Sequence, residues 1–291
     1  MKATILHDVS PEVAEKCSKI AGIEVSVQKP EDADIQIILP RFVPTDKLKA
    51  VQTISAGVDH LEFSRLPPNV EVFSNAGTFS DPVAEHAFAM MLAHEKRICQ
   101  FFSETRNGNY RKERVGSLSG RTLGVLGHGG IGRSSARIAK AFGMNVNAFT
   151  RTPREDRNVD RFMDSAEELV TNCDVLLIAL PKTKETLGIV NKNLLSKFYG
   201  DMIVHVARAD IVAEGDLLHF LAENPEKVYL TDVWWNEPKV SFPIPENAYL
   251  TPHIGGISRN SVDNAIYMAC ENVRRYLEGH PENRVRINEY R

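Results

Sequence analysis

The chain has 291 residues, of which 43% are hydrophobic and 25% charged, and its formal net charge is −3. Length and composition are those of an ordinary folded protein large enough for two domains. No dense lysine/arginine face is present, which argues against a nucleic-acid partner, and no apolar run approaches the roughly 18 residues of a membrane span.

Met1–Asp8 reads as a short strand rather than the apolar run of a signal peptide, and the expected location is cytoplasmic. Ala3–His7 reads as a strand, Pro11–Ile20 as a helix, and Ile35–Leu39, Gln52–Ser55 and Val70–Ser74 as further strands. From Asp81 to Arg106 apolar residues recur at helical spacing. Asp81 before Pro82 predicts an N-cap followed by proline at the first helical position, and the length suits a helix crossing between domains. Beyond it, strands are expected at Thr122–Leu126, Asn145–Thr150, Asp174–Leu180, Met202–Ala207, Val228–Val233 and Ala248–His253. Helices are expected at Ile131–Phe142, Ala166–Thr171, Asn193–Tyr199 and Glu214–Glu223. Val/Ile/Leu-rich strands alternating with helices imply a parallel sheet covered on both faces, a doubly wound α/β architecture. Ser258–Glu278 reads as a last long helix returning to the first domain. The expected organisation is a discontinuous first domain, 1–93 with 262–291, a second domain, 94–261, and a cleft between them. Cys17, Cys99, Cys173 and Cys270 are far apart and form no C-x-x-C pair. That argues against a metal site and a disulfide framework.

Gly127-His128-Gly129-Gly130-Ile131-Gly132 contains G-x-G-x-x-G. Alone the pattern is weak, but here it follows an expected strand and opens an expected helix, as dinucleotide binding requires. Gly127 permits the turn, Gly129 lets a pyrophosphate approach the backbone, and Gly132 lets the helix pack on the strand. The helix start at Gly130 and Ile131 offers free N–H groups. At the end of the second strand an acidic residue would bond a ribose 2′-hydroxyl. This chain has Thr150 there, followed by Arg151. A guanidinium pairs with a 2′-phosphate through bonds worth about 1.5–3 kcal/mol each, so NADP(H) is the favoured cofactor, with Arg154 as a second contact. The alternative is that Arg151 is a solvated surface residue and the site accepts both NADP(H) and NAD(H).

Arg208, Glu237 and His253 each follow an expected strand, and ligands of open α/β sheets bind beyond the carboxyl ends of strands. Taken singly, each has an ordinary reading: a surface charge, the start of a turn, a satisfied histidine. Taken together they suit the reduction of a 2-keto acid. Arg208 offers planar recognition of a carboxylate, His253 a proton donor, and Glu237 a group that keeps that donor charged and oriented.

In these segments the sequence resembles the D-isomer-specific 2-hydroxyacid dehydrogenases. The resemblance runs from about Ile54 to the last helix. It is carried by Ile54–His60 (ISAGVDH), Asn75–Ala87 (NAGTFSDPVAEHA), the glycine turn, Val206-Ala207-Arg208, Asp232 through Pro238, and Thr251–Gly256 (TPHIGG). It implies a Rossmann NAD(P)-binding domain beside a flavodoxin-like substrate domain, with Arg208, Glu237 and His253 as the catalytic trio. It further implies substrate-carboxylate contacts at the backbone of Ala56 and Gly57, Asp232 near the nicotinamide carboxamide, and a homodimer joined through the nucleotide domains. The expected activity is NADP-preferring reduction of glyoxylate or hydroxypyruvate. NAD-linked D-lactate, glycerate or phosphoglycerate dehydrogenase is the alternative. A non-enzymatic corepressor on the same fold is a second class, against which retention of all three residues argues. His205, Ala209 and Trp234-Trp235 depart from the family pattern; the tryptophans are expected either to narrow the site or to pack. His86 is expected to be structural, and His128 to touch phosphate.

Overall fold

The computed structural model describes residues 1–258 and 261–290. In chain order its elements begin with β1 (Ala3–Leu6), α1 (Pro11–Ala21), β2 (Val25–Val27), β3 (Ile35–Ile38), β4 (Ala50–Thr53) and β5 (Glu71–Phe73). Next come α2 (Ser80–Glu95), α3 (Ile98–Arg106), β6 (Thr122–Leu126), α4 (Gly130–Ala141), β7 (Asn145–Phe149) and β8 (Arg161–Phe162). The chain continues through α5 (Ala166–Thr171), β9 (Val175–Ile178), α6 (Lys192–Leu195), β10 (Met202–His205), α7 (Glu214–Glu223), β11 (Val228–Thr231), β12 (Ala248–Leu250) and α8 (Ser261–Leu277). Two compact units result, Met1–Phe79 with Ile257–Arg291, and Ser80–Gly256. The expected seams lay at 93/94 and 261/262; the observed division assigns all of α2 to the second unit.

In the first unit a parallel sheet has the order β2-β1-β3-β4-β5 among the described residues. The short strand β2 did not stand out in the sequence; it pairs with β1 through Ala3–Val25 and Ile5–Val27. One face is packed by α1 and α8, whose Cys17, Ala21, Ala265, Ile266, Ala269 and Cys270 join Ala3, Ile5, Ile35 and Ile37 in one core. The other face is filled by loop side chains, including Phe42, Val58, Leu61 and Phe63 over Ile38, Val51 and Val72. Asn75, fully buried, donates through Nδ2 to Ile54 O at 2.9 Å and Ala265 O at 2.8 Å. This satisfied amide ties α8 to the strand ends. The expected start of that helix at Ser258 takes in Arg259 and Asn260, which, like Arg291, lie outside the described residues; the helix is described from Ser261.

In the second unit a parallel sheet has the order β12-β11-β10-β9-β6-β7-β8. Every residue of β9 (VLLI), β10 (MIVH) and β11 (VYLT) is buried, the signature of strands covered on both faces. Strand order reverses between β6 and β9, which places the ligand crevice of such a sheet at their carboxyl ends. β8 is a seventh strand beyond the six expected, too short to show a pattern. Among the described residues no helix is long and apolar enough to cross a membrane, and no cluster of metal-ligating side chains is present.

The single helix expected over Asp81–Arg106 is two. Arg97 has φ +52 and splits α2 from α3; its guanidinium meets Glu113, and its Nε donates to Gln100 Oε1 at 2.8 Å. Lys96 Nζ reaches Gly116 O at 2.6 Å. Lysine and arginine are good helix formers, so the break comes from tertiary partners and left no local signal. Asp81 is not the cap, since the helix already includes Ser80. Its carboxylate instead accepts from Ser134 Oγ at 2.7 Å and Arg137 Nη2 at 2.9 Å, both on α4.

Candidate active site

The glycine turn lies between β6 and α4, as the pattern requires. Gly127 has φ +104, and a Cβ there would meet the backbone of Ala179 and Leu180 at 2.8 Å. Its N–H donates to Phe149 O at 3.0 Å, which sets the turn beside the end of β7. A Cβ on Gly132 would stand 2.3 Å from Gly127 O and 2.9 Å from Val125 Cγ1, so the helix can approach the strand only with glycine here. Around Gly129 nothing lies within 4 Å of such a carbon. Gly129 is also the N-cap and provides no side-chain cap, and the first turn, which contains Gly130 and Ile131, has no acidic residue. A helix start with no side-chain cap and no acidic residue, beside open space at Gly129, fits a dinucleotide pyrophosphate.

His128 is not presented to that space. Its side chain is 3% exposed, its Nε2 is 3.0 Å from Asp156 Oδ2, and its ring meets Phe162 edge-on. Its pKa is lowered, mainly by burial and against the raising effect of Asp156. It pins the segment after β7 to the glycine turn. Thr150 and Arg151 directly follow β7. Arg151 is exposed and pairs with Glu185 at 3.1 Å.

Arg208, Glu237 and His253 follow β10, β11 and β12, three neighbouring parallel strands, so one sheet edge carries all three. His253 Nδ1 lies 2.8 Å from Glu237 Oε2, and Glu237 Oε1 accepts from the Trp234 N–H. The carboxylate is thus fixed at both oxygens. Nδ1 carries the proton toward it, which leaves Nε2 for a ligand. His253 side-chain exposure is 46% and that of Glu237 is 31%, so the pair is open to a ligand yet held in place. Arg208 is half-buried, and its Nη1 donates to Ala207 O at 3.0 Å.

Asp232 is buried, and its carboxylate is fully engaged. Oδ1 accepts from Thr251 Oγ1 at 2.6 Å and Ile254 N at 2.9 Å, and Oδ2 accepts from Gly255 N at 2.7 Å. Burial would raise its pKa, but bonds from His86, Thr251, Gly255 and Ile254 outweigh that and hold it low. The sequence places Asp232 beside the cofactor; its hold on the Thr251–Gly255 loop is not evident from sequence. Its only signal was that TPHIGG and the Asp232 segment occur in one pattern.

Ala56 and Gly57 sit just beyond β4 in the first unit. Their turn is shaped by Thr53 Oγ1 donating to Ser55 O at 2.6 Å and Ser55 Oγ donating to Gly57 O at 2.8 Å. Trp234 and Trp235 are 4% and 7% exposed and pack with Tyr229 in the core, Trp235 Nε1 donating to Val212 O at 3.3 Å. Packing, rather than narrowing of a site, is what they do. His205 is fully buried with Nδ1 2.7 Å from Tyr229 OH, and burial lowers its pKa to about 3. It is a neutral core histidine.

Residues 88–255 match the D-isomer specific 2-hydroxyacid dehydrogenase NAD binding domain. The chain is 29% identical to a D-3-phosphoglycerate dehydrogenase of Archaeoglobus fulgidus, over 93% of this chain and 52% of that protein. It is 26% identical to a glyoxylate reductase of Thermococcus onnurineus, over 94% of this chain and 85% of that one. Among solved structures, a glycerate dehydrogenase related protein from Thermoplasma acidophilum is 41% identical with a TM-score of 0.74, over 95% of this chain and 100% of that one. The chain spans about half the length of the phosphoglycerate dehydrogenases it matches. With the matched segment running from within α2 through the His253 loop, and so including the glycine turn and the Arg208, Glu237 and His253 positions, the chain belongs to the D-isomer-specific 2-hydroxyacid dehydrogenases.

Proposed function

We propose that this protein is an NAD(P)H-dependent reductase of small 2-keto acids, glyoxylate or hydroxypyruvate, with NADPH preferred. The observation that carries the reading is the His253–Glu237 pair, Nδ1 to Oε2 at 2.8 Å, on the sheet edge that also bears Arg208. When bound at the glycine turn, the reduced nicotinamide supplies the hydride that reduces carbon 2. Arg208 pairs with the substrate carboxylate and polarises the keto oxygen. His253 Nε2 donates a proton to that oxygen, and Glu237 stabilises the ring while it is charged. In the oxidative direction the same nitrogen accepts the proton.

The NADPH preference rests on Arg151 directly after β7, with no acidic residue at Thr150. The guanidinium is solvent-screened and shared with Glu185, so the lower end of a charged bond's worth applies, about 1.5 kcal/mol, or tenfold. Arg151→Ala is expected to raise KM for NADPH about tenfold and to leave KM for NADH within about threefold. The deciding experiment is a kinetic screen of glyoxylate, hydroxypyruvate, pyruvate, 3-phosphohydroxypyruvate and longer keto acids with both reduced cofactors. Faster turnover with NADH overturns the cofactor assignment and favours an NAD-linked glycerate or phosphoglycerate dehydrogenase. Dinucleotide binding with no turnover on any keto acid identifies a sensor instead.

We further assign a homodimer joined through the second unit. Ile98 and Phe102, one turn apart on α3, are 39% and 69% exposed, and Tyr110 and Val115 beyond it are 83% and 42% exposed. All four lie within one chain segment, 98–115, of the second unit, and a contiguous exposed apolar patch is the mark of a protein interface. Sedimentation is expected to give twice the chain mass, and Phe102→Glu with Tyr110→Glu to give monomers. A wild-type monomer at micromolar concentration removes this assignment.

A further inference from the structure

His86 stands in α2, far in sequence from the residues assigned to chemistry, and the sequence reading treated it as structural. Its Nε2 lies 2.8 Å from Thr251 Oγ1 and 3.4 Å from Asp232 Oδ1. Thr251 Oγ1 donates its proton to Asp232 Oδ1 at 2.6 Å, so its lone pairs face His86 and Nε2 must be the donor. The His86 side chain is 19% exposed and that of Asp232 5%, so water competes little for these bonds.

The same Asp232 carboxylate holds the chain around His253, through Oδ1 to Thr251 and Ile254 and through Oδ2 to Gly255. Thr251 lies two residues before His253, while Ile254 and Gly255, whose N–H groups bind the carboxylate, follow it directly. The hold is tight at Gly255, where a Cβ would stand 2.8 Å from Asp232 Oδ2 and 3.3 Å from His86 Cδ2. His253 itself has φ +55, in the left-handed region that residues with a Cβ seldom adopt. Such a conformation persists only where its surroundings impose it. The surroundings here are the His253 N–H bonded to Thr251 O at 2.9 Å, the Thr251 N–H bonded to Thr231 O at 3.0 Å, and the Asp232 carboxylate bracketing both sides.

We propose that His86 is a positioning residue for His253, donating through Nε2 into the Thr251–Asp232 pair and so fixing the left-handed turn that points His253 Nδ1 at Glu237. The role resembles that of outer residues that orient ligating histidines, acting through hydrogen bonds rather than on the reacting atoms. The kinetic consequence rests on the proposed reductase reading; the effect on the turn does not.

The test uses the full chain with His86→Ala, His86→Gln and His86→Asn. Glutamine carries its amide nitrogen where Nε2 was, and asparagine falls short. Amide hydrogen exchange at residues 254 and 255 is expected to quicken at least tenfold in the alanine and asparagine variants and to stay near wild type in His86→Gln. In keto-acid reduction, kcat is expected to fall roughly 10²-fold in His86→Ala, the scale for a slightly misplaced catalytic group. Dinucleotide KM should stay within about threefold of wild type, and His86→Gln should recover most of kcat. A purely structural role would lower the melting temperature of all three variants without separating glutamine from asparagine, and that outcome overturns the proposal. Unchanged exchange at 254 and 255 in the asparagine variant overturns it as well. If the wild type reduces no keto acid, the reductase reading fails, while the exchange comparison still decides the role of His86. Should His86→Ala fail to fold, the glutamine–asparagine contrast carries the decision.

Discussion

Replacing His253 with asparagine is expected to lower kcat for hydroxypyruvate or glyoxylate reduction by roughly 10²- to 10⁴-fold, the range for removal of a positioned acid–base group. The expectation rests on orientation. Glu237 is fixed at both oxygens, by the Trp234 N–H and by His253 Nδ1, so the imidazole has one defined face left for substrate. Asparagine at this position fits the left-handed backbone of His253 at φ +55 better than most residues, so the loss would report chemistry rather than a collapsed turn. Affinity for the reduced dinucleotide should be nearly unchanged, because the glycine turn after β6 is built from other residues. Glu237→Gln should lower kcat by less than His253→Asn, since the amide oxygen still accepts from Nδ1 but no longer stabilises a charged ring. Steady-state rates at saturating cofactor check the whole series. A kcat within tenfold of wild type for His253→Asn would falsify the proton-donor role.

Much of this site was legible in the sequence, and the reasons are local. Strands such as VLLI, MIVH and VYLT are apolar throughout because both faces of the sheet are covered, and the polar residue just past each strand then stands out. The glycine turn was legible because close approach demands glycine: a Cβ on Gly132 has no room beside Gly127 O. The split between α2 and α3 was hidden, since it depends on Arg97 meeting Glu113, sixteen residues on. The work of Asp232 was hidden for a similar reason. Its partners Thr251, Ile254 and Gly255 lie 19 to 23 residues downstream, and His86 lies on a helix that showed only an apolar periodicity. Trp234 and Trp235 could be read either way from the sequence; depth in the core, a property of the folded chain alone, decides for packing.

Arg208→Lys is expected to cost nearly as much as Arg208→Met, and that near-equality is the informative part. A 2-keto acid presents a planar carboxylate with the keto oxygen beside it. A guanidinium can meet two oxygens at once through its parallel N–H groups, whereas an ammonium is a point charge on a flexible stem. The structure adds a constraint on reach. Arg208 comes three residues after β10 in an extended conformation, φ −138 and ψ 134, and its Nη1 is already bonded to Ala207 O at 3.0 Å. That bond holds the planar head near its own strand end, and lysine has no second donor arm with which to be held and still reach the substrate. Losing two charge-assisted bonds at about 1.5–3 kcal/mol each lowers kcat/KM by roughly 10²- to 10⁴-fold. Much of the loss should appear in KM, since the carboxylate is bound before and during reduction, with a further fall in kcat because the keto oxygen is no longer polarised. Affinity for dinucleotide alone, measured by fluorescence without keto acid, should be unaffected. A lysine variant retaining more than about a tenth of wild-type kcat/KM would mean that charge alone suffices and that bidentate recognition at Arg208 is wrong.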